Sequence, residues 1–147
     1  MSEPARRLGV GDVELRELPI VTGDNGSLIV GEVGASLPFV VRRIFTLIDI
    51  PAGEARGIHA HRQCEQFLIC QRGSVMAVVD DGTRREEVVL DRPTLGLYMP
   101  PMIWGTQYDY SSDAILLVLA SEGYDRADYI EDYDEYLAAL DEEQSAD

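Results

Sequence analysis

The chain has 147 residues, with 27 acidic side chains against 12 basic ones and a formal net charge of −15. This acidity argues against nucleic-acid binding, because a phosphate backbone is held by basic surface. All 12 basic residues are arginine, and the absence of lysine excludes Schiff-base chemistry and the Walker phosphate loop. With two histidines, a single chain also cannot assemble a metal site of three imidazoles.

Length, cysteine content and hydropathy define a broad class. A chain of about 150 residues corresponds to one domain with a substantial core. Cys64 and Cys70 are too far apart along an extended strand to bridge directly, and we interpret them as buried thiols of an intracellular protein. Residues 1–10 lack the apolar run of a signal peptide, and no segment has the length of a membrane span. We therefore expect a single-domain cytoplasmic protein that does not associate with membranes.

Most of the chain consists of short β-prone runs separated by turn signals. These signals recur about every ten residues, the spacing of an all-β sandwich or barrel. Pro51 and Gly53 mark one turn, and Asp81 with Gly82 predicts a hairpin. The expected strands, in chain order, are 39–50, 65–71, 74–80, 84–90, 95–99 and 114–120.

The composition changes near Ser121. Residues 121–147 contain eleven acidic residues and one basic residue, so two thirds of the net charge lies there. Apolar and aromatic side chains recur in this part at helical spacing, which predicts a helix packed on the barrel. The expected boundaries within one domain are a flexible N-terminus at 1–12, a barrel at 13–121, a C-terminal helix at 122–140 and a disordered acidic tail at 141–147.

Both histidines lie in one short segment, and their spacing predicts a shared face. In an extended strand His59, His61 and Glu65 have the same parity and point to the same side. On one wall of a small barrel they would project into its lumen. Such a face supports either of two chemistries. One is the two-histidine, one-carboxylate metal set of non-haem iron enzymes. The other is acid–base catalysis, because imidazole titrates near neutral pH.

The segment that contains the histidines resembles the first sequence motif of the cupins, with Gly53 before the histidine pair and Gly73 after it. Residues 96–105 resemble the second motif, but Gly105 stands where metal-binding cupins have a further histidine, which weakens the metal interpretation. The chain as a whole is more similar to the sugar 3,4-ketoisomerases, metal-independent cupins that act on dTDP-4-keto-6-deoxy-D-glucose. The similarity is carried by residues 24–28, 38–44, 56–61, 65–66, 68–70, 73–74, 80–82, 96–98, 103–104, 111–113, 118–121, 124–130 and 133–134.

The resemblance implies a jelly-roll cupin barrel and an isomerisation without cofactor or metal. The ketone of a dTDP-linked keto-deoxysugar would move from C4 to C3 through an enediol. By resemblance, His61 is the base that shuttles the proton, and His59 hydrogen-bonds the sugar or orients the transfer. The candidate substrate-binding residues are Arg43 and Arg56 for the pyrophosphate, Tyr98, Trp104 and Tyr108 for thymine or the sugar, and Glu65, Asn25 and Gly105 around the reacting centre.

Two positions depart from the family pattern. Relatives commonly have Arg or Tyr where this chain has Asn25, and His or Arg where it has Gly105. The loss of two large polar groups predicts a wider pocket and a substrate or product stereochemistry that differs from the best-known members.

The resemblance also implies a homodimer, in which strands of the segment 13–29 can be exchanged between subunits. Two alternative functions stay open at this stage. One is a metal-dependent cupin oxygenase that uses His59, His61 and Glu65, and the other is a non-catalytic nucleotide-sugar-binding cupin.

Overall fold

A computed structural model describes residues 5–145 of the chain. The strands are β1 (Ala5–Arg7), β2 (Glu14–Glu17), β3 (Ile20–Gly23), β4 (Gly26–Ile29), β5 (Arg43–Ile48), β6 (Arg56–His61), β7 (Gln66–Arg72), β8 (Val75–Asp80), β9 (Arg85–Leu90), β10 (Leu95–Met99), β11 (Trp104–Tyr108), β12 (Ile115–Ala120) and β13 (Tyr129–Ile130). A short 3-10 helix, Arg126–Asp128, leads into β13, and the helix α1 (Tyr133–Ser145) follows it.

Two sheets form the all-β jelly-roll barrel with a C-terminal helix that the sequence predicts. One sheet has the strand order β1-β2-β10-β7-β12-β5, and the other has the order β13-β6-β11-β8-β9. All neighbouring strands in these sheets pair antiparallel, and many pairs join strands that are distant in sequence, as in jelly rolls. The hairpin of β3 and β4 forms a separate two-stranded sheet.

Alternating side chains of the two sheets fill the barrel interior. In β12, for example, Leu116, Val118 and Ala120 are buried while the intervening residues are half-buried. Each large apolar side chain removed from water contributes about 1.5–3 kcal/mol to folding, so this interior is the main source of stability. The buried set comprises Val10, Val13, Leu15, Leu68, Cys70, Val75, Ala77, Val79, Leu90, Leu95, Leu97, Met99, Ile103, Tyr110, Ala114, Leu116 and Val118.

The expected strands all form, and the structure adds strands that the sequence patterns did not predict. The run 95–99 is a strand over the predicted residues, whereas the run 39–50 becomes a strand only from Arg43. Part of the N-terminal segment expected to be flexible is ordered, because β1 pairs with β2 through three residue pairs. Residues 1–4 of that segment lie outside the described residues.

The C-terminal helix is displaced from its expected position. It begins at Tyr133 rather than at 122. The side chain of Asp132, just before this start, accepts a hydrogen bond from the backbone N–H of Glu135 at 3.0 Å and caps the first turn. It continues to Ser145, through most of the tail expected to be disordered, and residues 146–147 lie outside the described part. Tyr136 anchors the helix, since its buried hydroxyl shares one proton between the carbonyl oxygens of Met102, 2.9 Å away, and Asp80, 3.1 Å away.

Both cysteines are buried free thiols, as the sequence predicts. No helix in the described part of the chain combines the length and the apolar character needed to cross a membrane.

Candidate active site

A cavity of about 300 Å³ lies inside the barrel and takes its lining from both sheets. About half of its wall is polar, with arginine, histidine and glutamine side chains set among aliphatic ones, and this composition suits a polar small molecule. The lining residues are Phe45, Thr46, Leu47, Arg56, Gly57, His59, His61, Cys64, Gln66, Leu68, Met99, Pro100, Ile103, Gln107, Val118 and Tyr129.

The two histidines project into this cavity side by side. His59 and His61 are two residues apart in β6, so the alternation of the strand places both on its inner face. Their Nε2 atoms are 3.0 Å apart. The backbone of His61 is fixed as well, because its carbonyl oxygen accepts the N–H of Met102 at 2.7 Å. The predicted histidine face is therefore confirmed for both imidazoles.

Asp128 completes a chain of hydrogen bonds behind His61. The Nδ1 atom of His61 is 2.9 Å from Oδ2 of Asp128. Pairing of Tyr129 with His61 between β13 and β6 sets this contact. The carboxylate is held in turn by the backbone N–H groups of Gln63 at 2.7 Å and Cys64 at 3.3 Å. A carboxylate fixed in this way orients the imidazole and selects its tautomer.

The protonation of the two imidazoles follows from burial and from this carboxylate. Burial, reinforced by the charge of His61, lowers the pKa of His59 to about 4. Burial also lowers the pKa of His61, although the hydrogen bond to Asp128 and its negative charge act in the opposite direction. Both rings are thus neutral at pH 7. Because Asp128 accepts a hydrogen bond from Nδ1 of His61, the Nε2 atom of His61 carries a lone pair toward the cavity and accepts the N–H of His59.

The two arginines expected to bind phosphate lie at the same site. Arg56 lines the cavity. Arg43 lies beside it, with Nη2 3.5 Å from the hydroxyl of Tyr129 and the guanidinium carbon 5.2 Å from the ring centre of Phe45. The Nε atom of Arg43 is buried and has no hydrogen-bond partner among the described residues. A buried donor left free on a cation is suited to an anionic ligand.

Glu65 does not share the face of the histidines, and that prediction is wrong. The chain turns between the end of β6 at His61 and the start of β7 at Gln66, so the parity changes, and it is Gln66 that lines the cavity. The carboxylate of Glu65 accepts a hydrogen bond from the hydroxyl of Tyr98 at 2.5 Å. Burial and this contact raise the pKa of Tyr98. Neither Glu65 nor Tyr98 lines the cavity of this chain.

The metal set of His59, His61 and Glu65 is therefore not assembled. One other group of metal-ligating side chains occurs among residues 5–145: His61, Cys64 and Asp128 have donor atoms within 4.8 Å of one another. Two of these donors, on His61 and Asp128, are already hydrogen-bonded to each other. The arrangement fits a polarised base better than an open metal site.

Trp104 and Tyr108 lie on the outer face of β11, away from the cavity. Trp104 packs against α1, with its ring centre 5.2 Å from that of Tyr133. The hydroxyl of Tyr108 donates to Glu87 at 2.9 Å. Alternation along β11 turns Gly105 and Gln107 inward instead. The two aromatic residues thus pack and pair at the surface rather than contact a ligand in the cavity.

The two departures from the family pattern lie in different places. Gly105 faces inward opposite His59, and a Cβ atom there would lie 2.6 Å from Cε of Met99. The space next to Gly105 is thus occupied by Met99, and the expected widening of the pocket does not occur there. Asn25 lies in the exposed turn between β3 and β4 and does not line the cavity of its own chain.

Sequence reasoning missed four polar or aromatic residues at the site: Asp128, Tyr129, Gln66 and Gln107. Asp128 is 67 residues from its partner His61. In the sequence, residues 124–130 are similar to the family, but that similarity assigns no role to Asp128. Gln107 was missed because β11 was not predicted as a strand, and its parity was therefore unknown. The two glutamines line the cavity together with Tyr129.

Comparisons with known proteins identify the family of the chain. The family FdtA, described as WxcM-like, C-terminal, matches residues 11–141. TDP-4-oxo-6-deoxy-alpha-D-glucose-3,4-oxoisomerase of Aneurinibacillus thermoaerophilus is 40% identical over 116 residues, covering 79% of this chain and 84% of the relative. The WlaRB TDP-quinovose 3,4-ketoisomerase of Campylobacter jejuni superposes with a TM-score of 0.84 at 37% identity, covering 88% of this chain and 99% of its own.

A third relative was solved with a ligand. QdtA, a sugar 3,4-ketoisomerase of Thermoanaerobacterium thermosaccharolyticum in complex with TDP, gives a TM-score of 0.86 at 32% identity, covering 90% of this chain and 97% of its own. The family match spans nearly the whole chain, and the sequence and structural relatives carry the same activity. The chain therefore belongs to the FdtA family of sugar 3,4-ketoisomerases.

Proposed function

We propose that this protein moves the ketone of a TDP-linked 4-keto-6-deoxyhexose from C4 to C3 without a metal or a cofactor. The observation that carries the proposal is the hydrogen-bonded series of His59, His61 and Asp128 at the wall of the cavity. It is the arrangement that a reversible carbon deprotonation requires: a neutral base, a fixed tautomer and a buried counter-charge. The relatives named above act on TDP-sugars, which supports the substrate class.

In the proposed reaction His61 is the group that moves the carbon-bound proton. Its Nε2 lone pair takes the proton from C3, and the electrons of that C–H bond form the C3–C4 double bond of an enediolate whose charge rests on the C4 oxygen. The protonated ring, stabilised by Asp128, then returns a proton to C4. The hydroxyl proton of C3 is lost as its oxygen becomes the ketone, and the C4 oxygen gains one. In the proposed complex the N–H of His59, which in the free protein donates to His61 Nε2 3.0 Å away, turns to a substrate oxygen and frees that lone pair.

The positive charge of the site comes from the two arginines. Arg56 lines the cavity, and Arg43 has a buried Nε with no partner among the described residues. In the proposal these guanidinium groups bind the diphosphate of the nucleotide, because a guanidinium fork matches phosphate oxygens. We place the enzyme in the cytoplasm, where buried thiols such as Cys64 and Cys70 stay reduced.

Incubation with TDP-4-keto-6-deoxyglucose in deuterated water tests the function. We expect a 3-keto product that carries deuterium at C4, because the proton on His61 exchanges with solvent between its removal and its return. NMR of the recovered sugar nucleotide measures both the position of the ketone and the label. TDP binding without turnover of this or any other TDP-ketosugar would contradict the proposal and support the non-catalytic sugar-nucleotide binder instead.

We further propose that the protein acts as a homodimer in which the hairpin of β3 and β4 docks on the partner. The hairpin forms a sheet of its own and exposes Val21 and Leu28, a cross-strand pair on one face, each more than half exposed. The edge strand β5 exposes Ile44 and Ile48 in the same way. Apolar surface of this kind is typical of an interface between subunits. The exchange would carry Asn25, at the tip of the hairpin, to the partner subunit.

A charged hairpin is expected to separate the subunits. The double variant Val21→Asp and Leu28→Asp should elute as a monomer in size-exclusion chromatography with light scattering, whereas the wild type should elute as a dimer. The matched control Thr22→Asp and Ser27→Asp places the same charges on the opposite face of the same hairpin, at the next cross-strand pair, whose two hydroxyls bond each other at 2.9 Å. A monomeric wild type, or a double variant that stays dimeric, would contradict the proposed interface.

A further inference from the structure

Two glutamine side chains inside the barrel have no role in the chemistry described so far. Gln66 and Gln107 are 9% and 7% exposed, and both line the cavity that contains the histidines. None of the side-chain hydrogen bonds among residues 5–145 involves either amide. Neither amide is among the fully buried polar atoms that lack a partner, so both open onto the cavity and are free to bond a ligand there.

The backbone around Gln107 is shaped to hold its amide. Gly57 lies in the neighbouring strand β6 with φ +67°, and a Cβ atom there would overlap Oε1 of Gln107. On the other side a Cβ atom at Gly105 would lie 3.6 Å from Nε2 of Gln107. Glycines on two adjacent strands thus leave room for one buried amide. Gly105 also pairs with His59 across the strands, which places the amide on the same wall as the histidines.

The chemistry of the substrate matches this pair of amides. We propose that Gln66 and Gln107 bind the hexose ring through its oxygens at C3 and C4, an inference that rests on the function proposed above. Before reaction one of these oxygens is a hydroxyl and the other a ketone, and the isomerisation reverses the two. An amide has both a donor N–H₂ group and an acceptor oxygen. Two amides therefore satisfy the hydroxyl–ketone pair before and after the ketone moves.

This role predicts that the glutamines affect the sugar but not the nucleotide. Methionine is close to glutamine in length but makes no comparable hydrogen bond, so Gln107→Met removes the amide and little else. We expect kcat/KM to fall about 10- to 100-fold, corresponding to one or two lost hydrogen bonds. The melting temperature should stay close to that of the wild type, because the amide makes no hydrogen bond to protein groups in the unliganded protein.

Binding measured without turnover separates this role from a structural one. In a His61→Asn background, calorimetry should show about tenfold weaker binding of TDP-4-keto-6-deoxyglucose after Gln107→Met and unchanged binding of TDP. Gln66→Met provides an independent second variant. Gln71→Met is the matched control, since Gln71 is exposed at the end of β7, and it should change neither affinity.

The outcomes distinguish this inference from the proposed function. Equal affinity of the parent and of both glutamine variants for the keto-sugar nucleotide would overturn the inference, and so would equal weakening of TDP and of the sugar nucleotide. If the enzyme with wild-type His61 turns over the substrate in either of these cases, the proposed function stands while the inference fails. A wild type that neither binds TDP nor acts on a TDP-ketosugar would overturn both.

Discussion

Replacement of His61 by asparagine is expected to lower kcat for the isomerisation by about 10⁴-fold, near the upper end of what one general base contributes. Asparagine retains a polar side chain of similar reach but has no lone pair that can take a proton from carbon. The NMR assay in deuterated water should show neither a 3-keto product nor label at C4. Circular dichroism and the affinity for TDP should remain those of the wild type, since His61 contacts the sugar rather than the nucleotide in the proposed complex.

His59→Asn is the matched comparison, because the two histidines lie two residues apart on the same face of β6. Its effect should be smaller by at least about tenfold, since His59 donates a hydrogen bond and does not carry the carbon-bound proton. Deuterium should still enter at C4 in the residual product. If His61→Asn retained exchange while His59→Asn abolished it, the two roles would have to be interchanged.

The second large effect is expected at Asp128. Asp128→Asn preserves the size of the side chain, but its amide can donate to Nδ1 of His61 and thereby transfer the ring proton to Nε2. The neutral base would then lack the lone pair it needs, and the imidazolium formed during the reaction would lose its counter-charge. We expect kcat to fall by about 10²-fold or more, with a smaller change in KM. Single-turnover measurements of product formation give the comparison directly.

The pH profile of Asp128→Asn distinguishes an electrostatic effect of Asp128 on His61 from a role in holding the ring in position only. Activity requires neutral His61, so it declines as the pH falls through the pKa of that group. Burial lowers this pKa and Asp128 raises it. Removal of the negative charge should therefore shift the acid limb of kcat to lower pH in the residual activity. Asp125→Asn is the control, because its carboxylate bonds only the backbone N–H of Ala127 in the same short helix. An acid limb that does not move would exclude direct electrostatic coupling.

The sequence contained most of the barrel because barrel strands carry local signals. Alternation, apolar runs and turn residues identified the strands that build the interior, including β10 over its full length. Strand β11 escaped detection because its five residues, with glycine second, lack β-branched and apolar alternation. The predicted helix begins too early because Tyr129 and Ile130 fit a helical period, whereas they form β13 on the edge of β6.

The position of a site residue could be predicted only when its neighbours in the site lie on the same strand. His59 and His61 share a strand, so parity alone placed them together. The prediction for Glu65 is wrong because the chain turns after β6, and residues beyond the turn no longer alternate in step with His59 and His61. The sequence pattern does not show where this turn begins. Asp128 belongs to a different part of the chain, and only the packing of the last segment on the barrel brings it to His61. Long-range contacts of this kind follow from topology, which local periodicity cannot supply.

The placement of Asp128 also makes the orientation of His61 depend on the last part of the fold. The barrel strands β1 to β12 end at Ala120, and Asp128 reaches His61 where β13 pairs with β6. Ile130 and Tyr136 are buried in a cluster of their own with Ala60 of β6, which holds this segment against the barrel. The acidic C-terminal segment, which holds most of the net charge of the chain, thus contributes one carboxylate to the barrel interior, and the packing of this cluster sets how firmly that carboxylate holds the imidazole.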